Sequence, residues 1–130
     1  MSCDCGTAGS ICIPRGDDMS ILFSVYDNDG AEFDISGAVE IIFIVATGVV
    51  IGGNIGPGGT VLITKKLSLG DITIAGTLYQ FVVDIVSADT DGFTQTNNYY
   101  EVNIETSGGV NKTVSCGLFK SQNTMIKDLI

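Results

Sequence analysis

The sequence predicts an all-β protein, an antiparallel β-sandwich of seven to eight strands forming one domain. Three observations carry this. Apolar residues recur at every second position through most of the chain, glycine, asparagine and aspartate punctuate the apolar runs at spacings of roughly 8 to 12 residues, and no segment carries a convincing helical stripe.

The elements follow in order. A short candidate strand at 10–13 leads into the first alternating run, where Met19, Ile21, Phe23 and Val25 face one way and Ser20, Ser24 and Tyr26 the other, with Leu22 as the exception. Asp29-Gly30 supplies residues that tolerate positive φ, as a turn requires. Segment 39–46 is apolar on both faces apart from Glu40, which places it centrally in a sheet or at a subunit contact. Glycines at 52, 53, 56, 58 and 59 make a flexible hairpin connection to candidate strands at 60–65 and 72–74. Segment 79–86 is apolar on both faces except at Gln80 and Asp84, and Asp91-Gly92 reads as the next turn. Tyr100, Val102 and Ile104 then alternate with Glu101, Asn103 and Glu105. After Gly108-Gly109, which fits a two-residue hairpin, Val110, Val114, Cys116 and Leu118 alternate with Asn111, Thr113 and Ser115. The expected core is Met19, Ile21, Phe23, Val25, Tyr100, Val102, Ile104, Val114 and Leu118. The sandwich spans 10–121, flanked by an N-terminal arm at 1–9 and a C-terminal arm at 122–130, which reads either as one turn of helix or as an extended docking arm.

Composition bounds the function. A chain of 130 residues buries about two thirds of its unfolded surface, enough for a core that needs neither disulfides nor a metal. Fifteen acids against six bases give a net charge of -9, so phosphate backbones and anionic headgroups are repelled, and neither nucleic acid nor membrane is expected as a partner. The chain has no histidine, which removes the commonest general base and the usual nucleophile pairs, and no enzyme is expected. The apolar stretch 41–51 falls short of the roughly 20 residues of a spanning helix. The first residues carry neither a basic nor an apolar signal region, so folding in a reducing cytoplasm is the expectation.

Single motifs read blandly. Arg15-Gly16-Asp17 spells an adhesion tripeptide but directly precedes an alternating strand, and Gly16-Asp17-Asp18 lacks the machinery of a polymerase metal site. Asp27-Asn28-Asp29-Gly30 resembles part of a calcium loop, yet with Gly30 in register the anchoring acids would be Val25 and Ser36, so a hairpin turn explains it better. The glycine loop lacks the lysine of a phosphate cradle. Asn111-Lys112-Thr113 is a glycosylation sequon that reads as strand. Cys3, Cys5, Cys12 and Cys116 are a poor zinc set, because Cys-x-Cys is tighter than zinc ligands use; Cys12 and Cys116 are expected as reduced, small buried hydrophobes on the first and last strands, able to oxidise if those strands are neighbours. Neither metal nor cofactor is expected.

The order of signals is more specific. Ile13-Pro14-Arg15-Gly16-Asp17, an alternating strand, Asp27-Asn28-Asp29-Gly30, and Phe33-Asp34-Ile35-Ser36-Gly37-Ala38 before an apolar strand resemble the immunoglobulin-like domain of bacteriophage tail, baseplate and fibre proteins, as in the N-terminal domain of baseplate upper proteins. Thr64-Lys65-Lys66-Leu67, Gly70-Asp71-Ile72-Thr73-Ile74, Phe81-Val82-Val83-Asp84-Ile85-Val86, Asp89-Thr90, Tyr99-Tyr100-Glu101-Val102 and Gly117-Leu118-Phe119 extend the resemblance over roughly residues 11–121.

The resemblance implies an immunoglobulin-like sandwich with a structural role in the virion. Its partners would be other tail, baseplate or capsid proteins, and the protein would be a homo-oligomer made in the bacterial host cytoplasm. Those family members continue into a shaft or receptor-binding region, whereas this chain ends at Ile130, so a small tail, baseplate or fibre-attachment adaptor is expected, with a capsid decoration protein as the alternative. A carbohydrate- or ligand-binding sandwich is a lesser alternative, with only Tyr26, Tyr79, Tyr99 and Tyr100 as platforms and some of these expected in the core. Catalysis would need carboxylates without histidine, and Asp27, Asp29, Glu32 and Asp34 sit in a turn where solvation is simpler. The expected contact residues are Ile42 and Ile44 on the two-faced apolar strand and Met125, Ile126, Leu129 and Ile130 in the C-terminal arm.

Overall fold

The computed structural model describes residues 11–27, 29–47, 49–51, 54–56, 59–93, 97–109 and 111–122. These residues form ten strands: β1 (Ile11–Pro14), β2 (Met19–Ser24), β3 (Ala38–Ala46), β4 (Val49–Ile51), β5 (Asn54–Gly56), β6 (Val61–Lys66), β7 (Ile72–Ile74), β8 (Gln80–Ile85), β9 (Asn97–Thr106) and β10 (Asn111–Gln122). One helical turn, α1 (Ser87–Asp91), and a short 3-10 turn at Leu67–Leu69 complete them. The protein is all-β.

The strands build two sheets of order β1-β10-β9-β3-β6 and β2-β8-β7, with β4 and β5 forming a separate two-stranded ribbon. All pairings are antiparallel except β1 with β10, which run parallel with Ile11 opposite Phe119 and Ile13 opposite Ser121. Strand alternation decides which side chains enter the core. From the smaller sheet come Phe23, Ile72, Phe81, Val83 and Ile85; from the larger come Ile13, Ile41, Phe43, Val45, Ile63, Tyr100, Val102, Ile104 and Phe119. The two sheets therefore share one apolar interior in a sandwich-like arrangement. At its centre Phe23 stacks on Phe81 at 5.2 Å between ring centroids, while Phe43 and Tyr100 close the cluster at 6.0 and 6.3 Å from Phe23. Offset and tilted ring pairs of this kind add to the area they bury.

One end of the molecule is tied by α1. Asp89 Oδ2 accepts the Val86 N–H at 2.8 Å and pairs with Lys65 Nζ at 2.8 Å, and the buried Thr90 accepts the Gly16 N–H through Oγ1 at 2.8 Å. The turn between β1 and β2 is thus held against the connection from β8 to β9.

Most of the expected core is present. Phe23, Val25, Tyr100, Val102 and Ile104 are buried, and Met19, Ile21 and Val114 are partly buried against them. Leu118 is not in it. A bulge in β10 between Thr113 and Ser115 inserts an extra residue opposite β9, so beyond it Gly117 lies opposite Tyr100 and Phe119 opposite Asn98. One inserted residue flips every later side chain, and Phe119 takes the place expected for Leu118. The expected flexible glycine connection also contains structure, since Val49 pairs with Gly56 and Ile51 with Asn54 as β4 and β5. The two sheets that share the core hold eight strands between them, as expected, and the ribbon adds two more. Gly92 caps α1 at φ -91 rather than making a positive-φ turn. After β9 the chain turns at Gly109, which adopts φ 80 and donates its N–H to the Thr106 carbonyl at 3.0 Å. Segment 39–46 lies centrally, as β3 between β9 and β6.

Candidate functional site

Ile42 and Ile44 alternate with the buried Ile41, Phe43 and Val45, so they occupy the outward face of the five-stranded sheet, where both are half-buried. The register sets Ile42 between Lys66 and Asn103, and Ile44 between Thr64 and Glu101. Beside them a polar ladder crosses the same face: Thr113 Oγ1 donates to Asn103 Oδ1 at 2.7 Å, Asn103 Nδ2 to Glu101 Oε1 at 3.0 Å, and Tyr99 Oη to Glu101 Oε2 at 3.3 Å. Tyr99 and Cys116 are buried on this side of the sheet, and β5 contacts β9. Part of this face is therefore covered. Met125, Ile126, Leu129 and Ile130 lie outside the described residues, as does all of the expected N-terminal arm. At the C-terminal boundary, β10 runs through Gln122, where the arm was expected to begin.

The cysteines depart from expectation. Cys116 is fully buried but disulfide-bonded, while Cys12 is an exposed free thiol. Although β1 and β10 are neighbours, Cys12 lies opposite Lys120 rather than Cys116. A parallel register that sets Ile11 and Ile13 toward the core turns Cys12 to solvent. Among the described residues no group of three or more histidine, cysteine, aspartate or glutamate side chains is arranged to hold a metal ion.

The short motifs are structural. Gly16 of the Arg15-Gly16-Asp17 tripeptide adopts φ 81 in a turn closed by the Asp17 N–H on the Pro14 carbonyl, and Arg15 donates to the Ser121 carbonyl at 3.3 Å. Asp27 Oδ1 accepts the Asp29 and Ala31 N–H groups at 2.9 and 3.0 Å, with Gly30 at φ 84, so this carboxylate organises the hairpin turn from within.

A second site lies past the C-terminal end of β2 and the N-terminal end of β8. A depression of about 490 Å³ is lined by Glu32, Asp34, Thr77, Leu78 and Tyr79. The Tyr26 ring stands 5.7 Å from that of Tyr79, inclined by 49°. Three backbone bonds fix its walls: Val25 N–H to the Tyr79 carbonyl at 2.9 Å, Phe33 N–H to the Val25 carbonyl at 2.9 Å, and Ile35 N–H to the Leu78 carbonyl at 2.7 Å. Tyr26 and Glu32 also form a β-bridge. The Glu32 charge, followed by desolvation and the neighbouring Tyr26, raises the Tyr79 phenol above its ordinary range. Asp34 is held below the usual aspartate range by hydrogen bonds from Ser36, whose N–H lies 2.8 Å from Oδ1. Composition alone separated these residues. Tyr26 and Tyr79 meet because Ser24 pairs with Gln80 at the ends of two antiparallel strands, a pairing no local pattern announces. Tyr99 and Tyr100, the other two candidate platforms, are buried.

No protein-family model matches the chain, and no curated protein matches it.

Proposed function

We propose that the chain is a non-enzymatic structural protein of a bacteriophage virion, an immunoglobulin-like adaptor that attaches tail, baseplate or fibre components. The observation that carries this reading is the strand order. A sheet β1-β10-β9-β3-β6 with β1 parallel to β10, sharing a core with β2-β8-β7, agrees with the immunoglobulin-like arrangement implied by the turn-and-strand resemblance. The outward row of Ile42 and Ile44 supports a contact role, because an apolar pair flanked by satisfied polar groups suits a protein interface. In this reading a homo-oligomer, assembled after synthesis in the host cytoplasm, meets its virion neighbours through that sheet face and through the C-terminal segment with Met125, Ile126, Leu129 and Ile130.

Gold-labelled antibody against the chain, applied to purified particles, tests this. Label at the tail or baseplate is expected. Label spread over the head would replace the adaptor by a capsid decoration protein, and particles that carry none of the chain would remove the virion reading altogether.

A further inference from the structure

We propose that the depression between Glu32, Asp34 and the 77–79 turn, with Tyr26 beside it, binds an organic cation: an alkylammonium or guanidinium group. The argument starts from its aromatic corner. Tyr26 and Tyr79 present two ring faces inclined by 49° at 5.7 Å, and Tyr26 is half-exposed. A cation over such rings is drawn to their negative faces. The same corner exposes Leu78, giving an alkyl stem an apolar wall. Two carboxylates, Glu32 and Asp34, line the same depression, Glu32 beside the two tyrosines, and no lysine or arginine is among the lining residues. A volume of about 490 Å³ takes an ammonium or guanidinium head together with its stem.

Charge selects the ligand class. Asp34 stays ionised because the Ser36 hydroxyl, and after it the Ser36 N–H, stabilises its charged form, and the raised Tyr79 phenol stays neutral. A concave site with this sign, on a chain of net charge -9, concentrates cations and repels anions. The backbone bonds from Val25, Phe33 and Ile35 set the walls before any ligand arrives, which lowers the ordering cost of binding. This inference is independent of the virion reading, since it rests on the depression alone.

The test uses choline and arginine amide as probes, with 3,3-dimethylbutan-1-ol as the neutral counterpart of choline, methyl glucoside as a neutral sugar, and sodium chloride at matched ionic strength. Because the chain has no tryptophan, its emission comes from tyrosine, and Tyr26 and Tyr79 are the two of its four tyrosines that are not buried. Emission and backbone amide shifts at 32–35 and 77–79 are the readouts. Saturable changes with choline or arginine amide, absent with the neutral alcohol and the salt, are expected. Tyr26→Ala should weaken binding about twofold to fivefold. Glu32→Gln combined with Asp34→Asn should weaken it at least as much, with an unchanged melting temperature showing that the fold survives. Tighter binding of arginine amide points to a side chain on a protein partner, and tighter binding of choline to a free quaternary ammonium; either supports the site. Equal responses to choline and its neutral counterpart, saturation by methyl glucoside alone, or no saturation by either cation would each overturn the proposal.

Discussion

Phe23 joins the two sheets through its ring contacts. It belongs to β2, stacks on Phe81 in β8, and touches Phe43 and Tyr100 in the opposite sheet. Phe23→Ala should therefore cost about 3 to 5 kcal/mol in denaturant unfolding, the range for emptying an aromatic site in a packed core; a loss below about 1 kcal/mol would contradict its central place. Glu40 shows a different kind of single-residue effect. Its carboxylate accepts the Ser68 hydroxyl, the Ser68 N–H at 3.0 Å and the Ile41 N–H at 3.1 Å, and Ser68 is the leading cause that holds it below the ordinary glutamate range. A carboxyl that is the stronger acid when folded favours folding fully above its unfolded value, and that contribution fades as pH falls through the folded one. Ser68→Ala should thus raise the Glu40 titration midpoint in an NMR pH series and weaken the fall of stability on the acid side. An unmoved midpoint would show that the hydroxyl is not the cause.

At the scale of elements, α1 illustrates what short structure can hold. Asp89 links the Val86 backbone and Lys65, and both partners of the ion pair are largely shielded, with side chains 12% and 20% exposed. Asp89→Ala should lower stability by about 1 to 3 kcal/mol in urea unfolding, the range for losing bonds to a charged group. Elements with strict period two were legible in the sequence: β2 and β9 lie where their alternation puts them, and β3 is central as its two apolar faces require. What was not legible depends on partners distant in sequence. The bulge that replaces Leu118 by Phe119 is a mismatch between two strands and leaves no mark in either alone. Likewise α1 is too short for a helical period, and the β4–β5 ribbon hid among glycines. At the depression, the acids and tyrosines were visible as residue types, but their meeting depends on the register of β2 with β8.

For the whole molecule, a mean hydropathy of +0.38, the exposed Leu22, Val39, Val61 and Leu69 and the half-buried outward Ile42 and Ile44 favour self-association, so light scattering should report a multimer. Ile44→Thr keeps the β-branched shape and should shift that multimer toward smaller species without unfolding it; a monomeric native chain at high concentration would contradict self-association. The parallel pairing of β1 with β10 has a mechanical side. Because the first and last described strands run in the same direction, pulling Ile11 and Gln122 apart slides one strand along the other and loads their hydrogen bonds together. An antiparallel terminal pair would instead peel open one bond at a time. Stretched between these two positions with the Cys116 disulfide reduced, single molecules should yield in one abrupt high-force step, and Pro14, which has no N–H to donate, marks the end of β1 where sliding meets least resistance.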